Sequence, residues 1–129
     1  MRRHRRVGES DIVTLHIPLT PGTRGFVGKK ELAMMKSSAI LINTSRGAIV
    51  DETALYEALR DKIIAGAGLD VLQQEPMAPD NPLRGIENAI ITPHVASFTL
   101  DSFLRCAHFA YGNMKRILQG EEPLAVIKP

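Results

Sequence analysis

The sequence predicts an α/β fold, a parallel sheet of about four strands with crossover helices. Three features carry this expectation. Short apolar, β-branched runs recur at residues 11–17, 39–43, 65–71 and 89–93. Amphipathic stretches with helical spacing lie between or after them, and the connections are too short for any other packing of parallel strands. The 129 residues fit one domain with a real core, and the hydrophobic (44%) and charged (23%) shares are those of an ordinary globular protein. A net charge of +2 (16 basic less 14 acidic residues) argues for neither a nucleic-acid partner nor a membrane surface. No apolar run reaches the roughly 18–20 residues of a membrane span. With a single cysteine, the chain is expected to be cytoplasmic.

Taken in order, residues 1–9 concentrate Arg and His with nothing to fold around, and a disordered basic tail is expected there. Residues 11–17 form the first strand, and Pro18 ends its ladder before a loop rich in Pro and Gly. A helix follows over residues 29–36, with Leu32, Met35 and Met34 candidates for the core. The second strand, residues 39–43, breaks into Asn43-Thr-Ser-Arg-Gly47. Asp51 is placed to cap a helix whose Leu55, Ala58 and Leu59 recur at the i, i+3, i+4 spacing of a buried stripe. A third strand at 65–71 is rich in small residues, where helix and sheet would approach closely, and a proline-rich loop spans residues 73–82. After the fourth strand, a long helix covers residues 99–119. Its stripe of Leu100, Phe103, Leu104, Ala107, Tyr111, Met114 and Leu118 reads as packing, and Cys106 is expected as a buried, inert thiol on the same side. Gly120 ends this helix. Residues 10–120 form the folded region, and 121–129 an extended tail.

In a parallel sheet every carboxyl end lies on one side, where ligands bind. Arg46, Glu75 and His94 each follow a strand and are therefore expected to converge there. An Arg at such a turn can hold a planar carboxylate through two parallel hydrogen bonds. A His beside a carboxylate is a general acid/base, because the imidazolium gains a partner. Together they read as a site for an anionic substrate beside a proton donor; no metal-ligand pattern is present.

The motifs Ser10-Asp-Ile-Val-Thr-Leu-His-Ile-Pro-Leu-Thr20, Ile42-Asn-Thr-Ser-Arg-Gly47, Val50-Asp-Glu52, Ala65-Gly-Ala-Gly-Leu-Asp-Val71, Glu75-Pro76 and Thr92-Pro-His-Val-Ala96 resemble the signatures of the D-isomer-specific 2-hydroxyacid dehydrogenases. The resemblance implies the second half of a Rossmann-like dinucleotide-binding domain and an NAD-dependent oxidoreductase acting on a small 2-hydroxy or 2-oxo acid. Arg46 then matches the arginine that binds the substrate carboxylate and carbonyl, His94 the acid/base, and Glu75 the carboxylate that orients it. Asp70 matches the residue contacting the nicotinamide carboxamide, and Ile17, Pro18, Thr23, Thr44, His94 and Ser97 fall where the family touches the dinucleotide. Phe98 departs from the small residues usual there; its ring either narrows the pocket or packs on the long helix.

The glycine fingerprint that seats a pyrophosphate on a helix N-terminus is absent, as is the ribose-reading acid about 20 residues later. The choice between NAD and NADP therefore stays open. A bare first strand and an unpaired long helix predict self-association. Two other readings remain: a non-enzymatic half-domain, truncated relative to the family, that self-associates, and a dinucleotide-sensing module of corepressor type.

Overall fold

The computed structural model describes residues 7–127. The chain divides into two compact units, Met1–Val95 and Ala96–Pro129. Of the expected basic tail, residues 1–6 lie outside the described residues, whereas residues 7–9 are helical.

The first unit contains β1 (Ile12–Leu15), α1 (Lys29–Met34), β2 (Ile40–Asn43), α2 (Glu52–Arg60), β3 (Gly66–Leu69) and β4 (Ala89–Ile91). All four strands are parallel and lie in chain order, β1-β2-β3-β4, with Ile12 opposite Ile40, Ile40 opposite Gly66 and Gly68 opposite Ile90. Each strand is one to three residues shorter than its apolar run, because Pro18 and the polar turns break the ladder early. Two short 3-10 turns, Gly47–Ile49 and Pro82–Gly85, begin at the ends of the expected polar turn and proline-rich loop and run on into residues given no element.

Successive strands step the same way across the sheet, so right-handed crossovers put α1 and α2 on the same face. Leu41, Leu69 and Leu15 point to that face and pack with Leu32 of α1 and with Leu55, Ala58 and Leu59 of α2. Asp51 caps α2 as expected, its Oδ1 accepting from the backbone N–H of Thr53 and of Ala54, each at 3.1 Å. The opposite face alternates out of this register and is bare within the unit: Ile12, Ile40 and Ile90 are 59%, 41% and 75% exposed. Parallel sheets are ordinarily covered on both faces.

The second unit is built on α3 (Leu100–Leu118). Thr99 Oγ1 accepts from Ser102 N–H at 3.1 Å to start it. Gly120, at φ 74°, ends it in the left-handed region that glycine adopts without strain. Residues beyond the helix fold back along it. The Asn113 amide donates to the Leu124 carbonyl (3.1 Å) and accepts from the Leu124 N–H (2.7 Å), while Arg116 Nε donates to the Glu122 carbonyl at 2.6 Å.

Two expectations are corrected here: the stripe of α3 buries none of its residues, and Cys106 is exposed. Phe98 is 84% exposed and borders a hollow with Leu100 and Phe103. Spacing specifies a face and not what covers it. No described helix is long and apolar enough to cross a membrane.

Candidate active site

The site begins with Asn43, the last residue of β2. Its side chain is buried beneath the turn that follows, and both ends of the amide are used. Oδ1 accepts from the Ser45 N–H (3.1 Å) and hydroxyl (2.9 Å), and Nδ2 donates to the Arg46 carbonyl at 3.0 Å. This Asx turn fixes the backbone from which Arg46 projects. The Arg46 side chain is exposed, and Nη1 donates to the Ser45 carbonyl at 2.6 Å.

Asp70, just after β3, is buried. Its carbonyl accepts from the His94 N–H (2.9 Å), and its Oδ1 accepts from the Thr92 hydroxyl (2.5 Å) and the Val95 N–H (2.9 Å). One aspartate thus ties down the whole turn bearing His94. That turn is strained, with His94 at φ 56°, a conformation uncommon outside glycine and found where a surrounding framework enforces it.

His94 Nδ1 lies 2.8 Å from Glu75 Oε2. An ionised carboxylate only accepts, so the proton of this bond sits on Nδ1, leaving Nε2 for other chemistry. Glu75 Oε1 accepts from the Leu72 N–H at 2.9 Å. The Glu75 carboxyl is held below the usual glutamate range, first by the His94 hydrogen bond and then by the Leu72 N–H, against an opposing push from partial burial and the nearby Asp70.

Arg46, Glu75 and His94 line one cavity of about 240 Å³ with Leu19, Gly47 and Leu72. Glu75 and His94 also border a larger, mostly apolar cavity of about 490 Å³ that includes Asp70, Met77, Ile91 and Pro93. Ile17 and Pro18 join Arg46 around a third hollow of about 580 Å³. Thr23 staples the loop after β1, its hydroxyl donating to the Pro18 carbonyl and accepting from the Thr20 N–H, both at 2.7 Å. Thr44 is exposed directly after β2, and Ser97 is an exposed residue of the second unit.

At the starts of α1 and α2 a carboxylate accepts backbone N–H groups. Asp51 caps α2, and the Gly28 N–H before α1 donates to Glu31 Oε2 at 3.3 Å. The strand ends thus bring a guanidinium, a carboxylate and an imidazole around one cavity.

Sequence reasoning missed Asn43 as a supporting residue, although Asn followed two positions later by Ser at a strand end is a readable Asx signal. It also missed Glu52, Gln73 and Gly47, whose partners are far along the chain.

Residues 2–96 match the family described as D-isomer specific 2-hydroxyacid dehydrogenase, NAD binding domain. A glyoxylate reductase from Korarchaeum cryptofilum is 49% identical over 115 residues, which are 89% of this chain and 35% of that protein. The chain thus spans about a third of the length of such relatives. The NAD-complexed D-isomer specific 2-hydroxyacid dehydrogenase of Lactobacillus delbrueckii ssp. bulgaricus is 36% identical, with a TM-score of 0.87 over 97% of this chain and 42% of that one. The Xanthobacter autotrophicus Py2 enzyme of the same description, solved with NADPH and MES, is 39% identical, with a TM-score of 0.85 over 98% of this chain and 51% of that one. With the motifs, the four parallel strands and these likenesses in agreement, the chain belongs to the D-isomer specific 2-hydroxyacid dehydrogenase family, in its NAD-binding domain.

Proposed function

We propose that this chain carries the substrate-binding and proton-transfer side of an NAD-dependent oxidoreductase that interconverts a small 2-hydroxy acid and its 2-oxo acid. The observation that carries the reading is the single cavity shared by Arg46, Glu75 and His94. In this reading the Arg46 guanidinium grips the substrate carboxylate and draws the carbonyl oxygen toward His94. Nε2 of His94 delivers a proton to that oxygen in reduction and removes it from the hydroxyl in oxidation. Glu75, kept ionised, holds Nδ1–H and steadies the imidazolium. The bound nicotinamide supplies or accepts the hydride. The residues assigned to it are Asp70, Ile17, Pro18, Thr23, Thr44, His94 and Ser97; NAD is the primary choice, with NADP open.

The fit is partial, because the sequence carries no glycine-rich strand-to-helix turn to seat the pyrophosphate. Residues 10–120 are therefore read as the second half of the dinucleotide-binding domain, whose phosphate cradle must come from elsewhere. Residues 1–9 and 121–129 are read as flanking tails, and the exposed Cys106 fits a cytoplasmic setting.

The test is NADH oxidation with glyoxylate or another small 2-oxo acid, comparing the chain with Arg46→Ala and His94→Asn. Little or no turnover is expected of the chain alone; any that occurs should fall roughly 10²-fold or more in each variant, and rates unchanged in either refute the assignment.

A second reading, a non-enzymatic half-domain that self-associates, is favoured by the bare apolar sheet face bearing Ile12, Ile40 and Ile90. On either reading a dimer or larger oligomer is expected in light scattering. Absence of turnover would favour this second one.

A further inference from the structure

Two loops must meet for Arg46 and Glu75 to share a cavity, and the contact between them is unusually close. A Cβ built on Gly47 would stand 1.9 Å from the Leu72 carbonyl carbon and 2.5 Å from the Gln73 nitrogen, so any side chain there forces the loops apart. Across that seam runs a set of hydrogen bonds. Gln73 Nε2 donates to the Val50 carbonyl at 2.8 Å, and the Gln73 N–H donates to Glu52 Oε1. The other Glu52 oxygen accepts from Asn81 Nδ2 at 3.3 Å. Glu52 stands in the first turn of α2, yet its two oxygens reach across the seam, and it is Asp51 that caps the helix's own N–H groups. Its carboxylate clasps both ends of the loop that carries Glu75.

We propose that Glu52, with Gln73 and Gly47, is a positioning latch that holds the Glu75 loop against the Arg46 turn and so fixes the Glu75 carboxylate on His94. The line of force is short. Glu52 holds the Gln73 N–H, Leu72 precedes Gln73, and the Leu72 N–H is one of the two donors on Glu75. None of the latch residues touches a reacting atom; they act through Glu75. The inference rests on the reading of Glu75 and His94 as the acid/base pair.

The experiment follows the Glu75 carboxyl carbon by NMR titration of the whole chain, with Glu75→Gln to assign the signal. In Glu52→Ala the Glu75 midpoint is expected to shift upward toward the ordinary glutamate range, as the Leu72 and His94 contacts loosen. In Glu52→Gln, whose amide oxygen still accepts from the Gln73 N–H but whose NH2 group cannot accept from Asn81, it is expected to lie between the wild-type and Glu52→Ala positions. Gln73→Ala, at an exposed position, is expected to produce a smaller upward shift and serves should Glu52→Ala not fold. A Glu75 midpoint unmoved in folded Glu52→Ala or in Gln73→Ala overturns the latch, as does a Glu52→Gln shift equal to that of Glu52→Ala. These outcomes are independent of turnover, so the latch can fail while the proposed chemistry stands, and the reverse.

Discussion

Glu75 shows how much one side chain is asked to do. Its carboxyl is held low by two hydrogen bonds present only in the folded chain, so the unfolded chain takes up this proton more readily. The stabilisation is therefore complete above the ordinary glutamate pKa of about 4.3 and is lost as the pH falls through the depressed folded-state value. Urea unfolding between neutral and acid pH should show this loss in the wild type and a flatter profile in Glu75→Gln; identical profiles would contradict it. Asn43 makes the same point for a neutral group. Removing its buried amide takes the acceptor from the Ser45 N–H and leaves the Arg46 carbonyl with the Ile49 N–H alone, and Asn43→Ala should cost about 1–3 kcal/mol in denaturant melts. At this scale the sequence was informative where a residue's neighbours are close in the chain. Arg46, Glu75 and His94 were readable because each follows a strand. Glu52 was not, because its partners Gln73 and Asn81 lie 21 and 29 residues away and no local pattern announces them.

Among the elements, α2 was the most legible. Its cap at Asp51 and its stripe of Leu55, Ala58 and Leu59 are all local, and all are found. Asp51→Ala should lower stability by about 1 kcal/mol through loss of the cap. Leu55→Ala, at a fully buried position, should lower it by about 2–5 kcal/mol. Thermal or chemical unfolding of both variants checks the ranking, and an equal loss in the two would contradict it. The long helix α3 is the counter-example. Its ends at Thr99 and Gly120 and its apolar stripe were legible, but the burial of that stripe was not, because a period in sequence carries no information about a covering surface. The 3-10 turn Gly47–Ile49 was hidden for a different reason: it exists because Gly47 lets the backbone press against Leu72, a long-range contact.

At the scale of the whole molecule, the bare sheet face within the first unit follows from topology. A sheet whose strands run β1-β2-β3-β4 with right-handed crossovers covers one side only. Ile12 and Ile90 on the other side should drive association, and lysine at either position should shift the chain toward monomer in light scattering; a wild-type monomer at high concentration would contradict this. The family was legible because its motifs are dense in this stretch. The cofactor's phosphate end was not, since no glycine fingerprint is present. The most direct test of the central account, that Arg46 and His94 form a working half-site, is an NMR titration of the chain with NADH and a small 2-oxo acid. Signals of the Arg46 guanidinium and the His94 ring should move together and saturate, and the His94 response should vanish in Arg46→Ala. A His94 ring that ignores the acid, or responds equally without Arg46, would contradict it.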